Sequence, residues 1–400
     1  MTDLIYLCHR MPWPPVKGEK IRSWHVLRHL ARHFRVHVGT LADAPGDMAH
    51  VAHLETVAAG VGAFEVRRPV QMARALVRAR PGRPLQPDFC RSPGLARWVD
   101  LTVARVRPAG IFISTVAMAP YALGRPGVRL WLDAVDIDSE KWAAYGRESA
   151  WPMRLMWGRE GRNLLAYERR AAAGCEAIFF VSEPEARRFV ELAPECAARV
   201  DYAENGVDLR RFNPSHRFAS PFGPAGPALV FTGHMGYRPN VEAVAWFAGE
   251  VLPLVRALVP GAEFWIVGAD PSPAVRALGG LLGVHVTGTV EDTRPYLAHA
   301  DAVVCPLRIA RGIQNKVLEA MAMGRKVIAS PGAFEGVRAA AGRDLLVAGD
   351  ADAFSAAVLA VLAGKHADMG ARARAAMEAR YDWEATLSRM DPWLAPGVGG

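Results

Sequence analysis

Short, nearly continuous apolar runs alternate along the chain with longer segments in which apolar positions recur at helical spacing. In the first half LIYLC, RVHVGT, GIFIST, RLWLDAV and AIFFVS read as strands, and in the second half ALVFTG, EFWIVG, VHVTG, DAVVCPL, KVIAS and DLLVA do. A strand that is apolar on both faces is covered on both faces, so these runs predict buried parallel sheets flanked by helices. Helices are expected after Glu19, Ser139, Ser182, Asn240, Thr293 and Ile313. Asn240, between a proline and VEAVAWFAGEVLPLV, reads as an N-cap. NPSHRFASPFGPAGP at 213–227 is rich in Pro, Gly and Ser and reads as the linker between two doubly wound α/β domains.

Composition supports that division. A chain of 400 residues exceeds one ordinary core. Apolar residues make up 51% of it, with no low-complexity block, as in a well-buried globular protein. The five cysteines, Cys8, Cys90, Cys175, Cys196 and Cys305, are far apart and form no CxxC pair. They argue against a disulfide framework or a zinc site and for a reducing cytoplasm. The histidines, His9, His25 and His234 among them, suggest no metal spacing. No segment reaches the roughly 18 apolar residues of a membrane span, and the opening LIYLC is too short for a signal peptide. Charge is uneven: residues 1–205 carry 29 Lys+Arg against 22 Asp+Glu, and the remainder 19 against 18. The excess either solubilises the surface or meets an anionic partner, a lipid headgroup or a phosphorylated acceptor. Nucleic acid is disfavoured, because no recognition motif accompanies it.

Ligands of open α/β sheets bind beyond the carboxyl ends of the strands, near helix N-termini. RIARGIQNKVLEAMAMG follows DAVVCPL at such an edge. There Gly312 allows close backbone approach, and Ile313, Gln314 and Asn315 begin a helix whose first N–H groups are available. Arg311 and Lys316 can neutralise phosphate, and Glu319 lies within reach of ribose hydroxyls. FTGHMGYRPN at 231–240 is a second glycine turn, with Gly233, His234, Gly236 and Arg238. Two such turns after different strands can converge on one diphosphate. VTGTVED at 286–292 is a third strand end, where the backbone of Thr289 and Val290 could lie beside a nucleobase. The plain structural alternative is a capped helix with a solvated Glu319.

In the first half, PPVKGEKIRSWH follows the first strand, with Gly18 at the turn. Lys20 and Arg22 begin the next helix, where they could meet an anionic acceptor or a departing diphosphate, or simply be solvated. WLDAVDIDSEKW clusters Asp133, Asp136 and Asp138 at a strand end. A DxD invites a Mg²⁺ reading. Orientation of an acceptor by Asp136 and Asp138, with Lys141 beside them, is a second reading, and capping of the helix by Asp138 or Ser139 is a third. WPMRLMWGREGRNLLAYERR reads as a basic helix that either packs on its own domain or docks on the inner membrane.

NGVDLRRFNP, FTGHMGYRPN, GTVEDTRPYLAHADAVVCPL and NKVLEAMAMGRKVIAS resemble the C-terminal half of group 1 (family 4-type) glycosyltransferases of the GT-B fold. With CHRMPWPPVKGEKIRSWHVLRHLA, LDAVDIDSEKW and FVSEPEA added, the whole chain resembles the sugar transferases associated with the PEP-CTERM/exosortase system, which occur with exopolysaccharide gene clusters. The resemblance implies two Rossmann-like domains whose parallel sheets face across a cleft. Residues 1–205 would hold the acceptor, 206–380 the nucleotide-sugar donor, and 381–400 would cross back to the first domain. It implies a retaining, metal-independent hexosyltransferase with no cofactor, a glycan or lipid-linked acceptor, and a cytoplasmic location with a peripheral inner-membrane contact. By position, Glu319 matches the second glutamate of the E-x7-E motif, which holds the donor ribose. The first falls at 311, where this chain has Arg311. Gly312, Ile313 and Gln314 match the phosphate cradle, and Arg238 and Lys316 stand near the basic pair for the diphosphate. Gly18 matches the glycine turn facing the cleft, and Asp136 and Asp138 become acceptor-orienting residues. A nucleotide-sugar epimerase, or a non-catalytic nucleotide-sugar-binding subunit of an export assembly, would share this architecture.

Overall fold

The computed structural model describes residues 1–15, 18–224, 226–308 and 313–395. The chain forms two compact units, Met1–Glu204 with Leu387–Gly400, and Asn205–Thr386. The first holds seven parallel strands: β1 (Asp3–Cys8), β2 (Arg35–Ala42), β3 (Gly60–Glu65), β4 (Gly110–Ser114), β5 (Arg129–Val135), β6 (Ala177–Phe180) and β7 (Val200–Tyr202), in the order β3-β2-β1-β4-β5-β6-β7. The second holds six: β8 (Ala228–Thr232), β9 (Glu263–Val267), β10 (Val284–Gly288), β11 (Ala302–Cys305), β12 (Val327–Ala329) and β13 (Leu346–Val347), in the order β10-β9-β8-β11-β12-β13. Every pairing is parallel, as the two-faced apolar runs require. Each sheet reverses its winding beside its first strand, between β1 and β4 and between β8 and β11. That reversal opens a crevice at the carboxyl ends, where such folds take their ligands.

Two strands escape the apolar pattern, each for a local reason. In β3, GVGAFE, a Cβ on Gly62 would come within 2.6 Å of the Trp98 ring, so the helix Pro93–Val106 demands glycine where a strand would show an apolar side chain. β7 has only three residues.

The Pro/Gly/Ser stretch is not the linker. The units divide at Glu204 and Asn205, and residues from this stretch pack on the second domain. Phe222 lies against Trp265 and Tyr296, and the Arg294 guanidinium stacks over Phe218. Asn240 is not an N-cap either. Tyr237 occupies that position of the helix Arg238–Trp246, and the Asn240 side chain is buried for another purpose. Ser182 does cap its helix, its Oγ accepting from the Glu185 N–H at 3.3 Å.

Candidate active site

The β8/β11 reversal gathers most of the polar chemistry of the second domain. β8 ends in Thr232 and runs into Gly233, whose N–H donates to the Val267 carbonyl at 3.0 Å. Met235, fully buried, donates to the Ala269 carbonyl at 2.7 Å. The turn is therefore strapped to the end of β9. Gly268 makes this possible: it sits at φ +146°, and a Cβ there would meet the Gly233 carbonyl oxygen at 1.8 Å.

Across the crevice, the helix Asn315–Ala322 starts after β11 with no side-chain cap of its own. Its Lys316 Nζ donates to Asn240 Oδ1 at 2.5 Å and lies 4.2 Å from the Phe231 ring centroid. Asn240 Nδ2 in turn donates to the His234 carbonyl at 2.9 Å. A Cβ on Gly233 would stand 2.9 Å from Asn240 Nδ2 and 3.1 Å from Lys316 Nζ, so glycine leaves both tips their place without a shift. Burial pushes Lys316 down to about 8, with Cys305 and Glu319 opposing. Burial pushes the Glu319 carboxyl, one turn along the helix, up to about 7, with the Arg211 and Lys316 cations opposing. Asn315 Oδ1, at the start of that helix, and Thr232 Oγ1, at the end of β8, are buried without a partner among the described residues.

The other donor-site residues are more scattered. Gln314 takes the N-cap position, and the Ile313 side chain is buried in the domain core. His234 pairs with Asp270 at 2.8 Å. Arg238 is 77% exposed and pairs with Glu242 at 2.7 Å. Thr289 is exposed just beyond β10, two strands from the reversal, while Val290 packs on the core. Arg311 and Gly312 lie outside the described residues. Arg211 and Asn240 are contributors that sequence reasoning passed over. The only trace of Arg211 was the basic pair in NGVDLRRF, and Asn240 was assigned to a cap.

The first domain corrects the acceptor reading of two cations. Arg22 is buried, its Nε and Nη2 gripping both carboxylate oxygens of Asp133 at 2.8 Å while Nη1 donates to the Ala203 carbonyl at 2.8 Å. Lys20 is buried against Asp47 at 3.1 Å. Both charges are spent inside the domain, because each faces a buried carboxylate, Asp133 near the end of β5 and Asp47 in the turn beyond β2. Asp133 is thereby structural, while Asp136 remains exposed. Asp138 accepts from Gln86 Nε2, and burial raises its carboxyl above the usual range. Neither Asp138 nor Ser139 caps the helix Asp138–Glu148. Glu168 does so from outside, accepting from the Ser139 N–H at 3.1 Å and its hydroxyl at 2.5 Å. Lys141 is exposed on that helix, and Gly18 is exposed at the start of the helix Gly18–His33. Two non-glycine residues, Thr115 and Val135, hold φ +70° at the carboxyl ends of β4 and β5. Such backbone is uncommon for β-branched residues, and it clusters at functional sites.

Residues 226–364 match the family model "Glycosyl transferases group 1". That match contains Gly233, Asn240, Lys316 and Glu319 together. A curated relative, the GDP-mannose-dependent monoacylated alpha-(1-6)-phosphatidylinositol monomannoside mannosyltransferase of Corynebacterium glutamicum, is 28% identical over 278 residues, 62% of this chain and 68% of its own. Among solved structures, sucrose-phosphate synthase from Thermosynechococcus elongatus is similar over 98% of both chains (16% identity, TM-score 0.67). Anabaena HepE, in complex with UDP and glucose, is similar over 99% of this chain and 100% of its own (15% identity, TM-score 0.65). The fold of the whole chain is therefore GT-B, two Rossmann-like α/β domains.

Proposed function

We propose that the protein moves a sugar from a nucleoside diphosphate donor to a glycan or lipid-linked acceptor. The observation that carries this reading is the Lys316 ammonium, held by Asn240 and Phe231 over Gly233 at the strand-order reversal, one helical turn from Glu319. Lys316 and the N–H groups at the start of its helix would stabilise the departing diphosphate, and Glu319 would clasp the ribose. No side chain is required as a covalent nucleophile. Retention of configuration, metal independence and a place in exopolysaccharide synthesis rest on the motif resemblance. The base is open between the guanosine of the mannosyltransferase's named donor and the uridine bound by HepE.

The test is calorimetric binding of UDP, GDP and ADP to the full chain, to Glu319→Ala and to Lys316→Ala. One nucleotide should bind, and both variants should weaken it at least tenfold. If none binds to the folded protein, the donor-site reading fails and a scaffold role leads. Transfer assays with the matching donor, with and without EDTA, then test turnover and metal independence.

A peripheral membrane contact is part of the same proposal. Residues 66–87 contain six arginines and no acid. Val70, Met72, Leu76 and Val77 there, and Trp151, Met153 and Leu155 before and on the helix Met153–Ala173, are exposed apolar residues. Co-flotation with anionic vesicles should be salt-sensitive and reduced by Trp151→Ala. Failure to float with anionic vesicles at low salt would remove this contact.

A further inference from the structure

Two histidines one helical turn apart meet a carboxylate from the far end of the chain. His29 and His33 stand on the same face of the helix Gly18–His33, their ring centroids 5.3 Å apart. Asp391 opens the short helix Asp391–Leu394 of the returning C-terminal segment, which belongs to the same compact unit. His29 Nε2 is 2.7 Å from Asp391 Oδ1, and His33 Nε2 is 3.6 Å from the same oxygen. One ligating atom from each of the three lies within 4.8 Å of the other two. The expectation of no metal spacing among the histidines overlooked the i, i+4 pair His29 and His33, and Asp391 is 362 residues from His29.

We propose that His29, His33 and Asp391 bind a divalent transition-metal ion of the zinc type, stapling the C-terminal segment to the first domain. Two imidazoles and one carboxylate form the borderline nitrogen–oxygen donor set that suits Zn²⁺, and three protein ligands leave a position for water. A cation would take the place of the hydrogen bond between His29 and Asp391 and would engage His33 as well. The side chains of His33 and Asp391 are 45% and 39% exposed, while that of His29 is 4% exposed. The site therefore has one buried wall and two solvent-facing ligands, which gives the ion a path in. His29 Nδ1 is buried without a partner among the described residues, so no outer acceptor orients that ring. Loss of such support typically lowers metal affinity about 10–100-fold, so this ion is held less tightly than in a closed four-ligand site.

The segment is docked by other contacts too. Arg389 pairs with Asp201 at 2.8 Å, and Trp131 Nε1 donates to the Trp393 carbonyl at 3.0 Å. The ion adds a tie at the end of the helix Gly18–His33, where those contacts do not reach.

The test uses the chelator-stripped full chain without nucleotide, so its result is independent of the donor-site reading. ZnCl₂ is titrated by calorimetry and its effect on Tm is recorded for wild type, His33→Ala and Asp391→Asn. Wild type should bind one equivalent and gain Tm. Each variant should lose at least tenfold in affinity and most of the Tm gain, while its metal-free Tm stays near that of wild type. Co²⁺ should give visible d–d absorption in wild type only. The variants retain all five thiols, so equal zinc binding by wild type and His33→Ala would assign the ion elsewhere and overturn the proposal, as would the absence of binding.

Discussion

Arg22→Ala is a direct probe of whether the first domain's basic residues are structure or site. Arg22 and Asp133 have side chains 2% and 1% exposed and share a bidentate pair. Removing the guanidinium strands a carboxylate in the core and leaves the Ala203 carbonyl without its donor. Breaking a buried pair from one side costs about 3–5 kcal/mol, because the remaining charge is uncompensated. For a unit of this size roughly 2–4 °C of Tm follow each kcal/mol, so the expected fall is about 6–20 °C. Arg22→Lys should recover only part of it, since an ammonium cannot grip both oxygens. The Arg22→Met/Asp133→Leu double variant should be more stable than Arg22→Ala, because both charges leave together. The assay is thermal unfolding of the full chain followed by circular dichroism, with urea unfolding as a check on cooperativity. A fall of less than about 2 °C in Arg22→Ala would refute the buried-pair argument and return Arg22 to the acceptor.

Glu319 and Lys316 give the second domain a signed pH response. Between 4.5 and about 7 the folded chain keeps a Glu319 proton that the unfolded chain has lost, so stability falls as pH rises through that window. Between about 8 and 10.5 the unfolded chain keeps a Lys316 proton that the folded chain has lost, so stability rises. Tm against pH should show both slopes, with Glu319→Gln flattening the first and Lys316→Met the second. Gly233→Ala should shift the Lys316 ammonium and the Asn240 amide by a few tenths of an ångström and weaken nucleotide binding in calorimetry while leaving Tm near that of wild type, given approaches of 3.1 and 2.9 Å. Glu168→Ala should cost about 1–3 kcal/mol in urea unfolding, because Ser139 N–H and Oγ lose their buried acceptor.

The fold was readable because parallel strands buried on both faces leave continuous apolar runs, and eleven of the thirteen strands among the described residues carried one. The Pro/Gly/Ser stretch was misread as the linker, because a loop rich in Pro and Gly can pack on its own domain, as Phe222 does on Trp265. The donor side of the site was legible as glycine turns before helices. Its clamp was not, because Asn240 and Lys316 are 76 residues apart and only the sheet order brings them together. Lys20 and Arg22 misled for the converse reason. A basic residue at a helix start looks alike whether it faces a ligand or a buried carboxylate, and Asp133 is 111 residues away.

The return of the chain from Thr386 to the first unit sets an order of manufacture. Asp201, Arg129 and Trp131 leave the ribosome before the second unit is made, and their partners Arg389 and Trp393 only after it. The intervening stretch of roughly 180 residues takes on the order of 10–40 s to synthesise. During that interval one flank of the N-terminal sheet is uncovered and open to chaperones or to mispairing. Deleting or displacing the segment from Leu387 therefore acts on the unit translated before the one that precedes it.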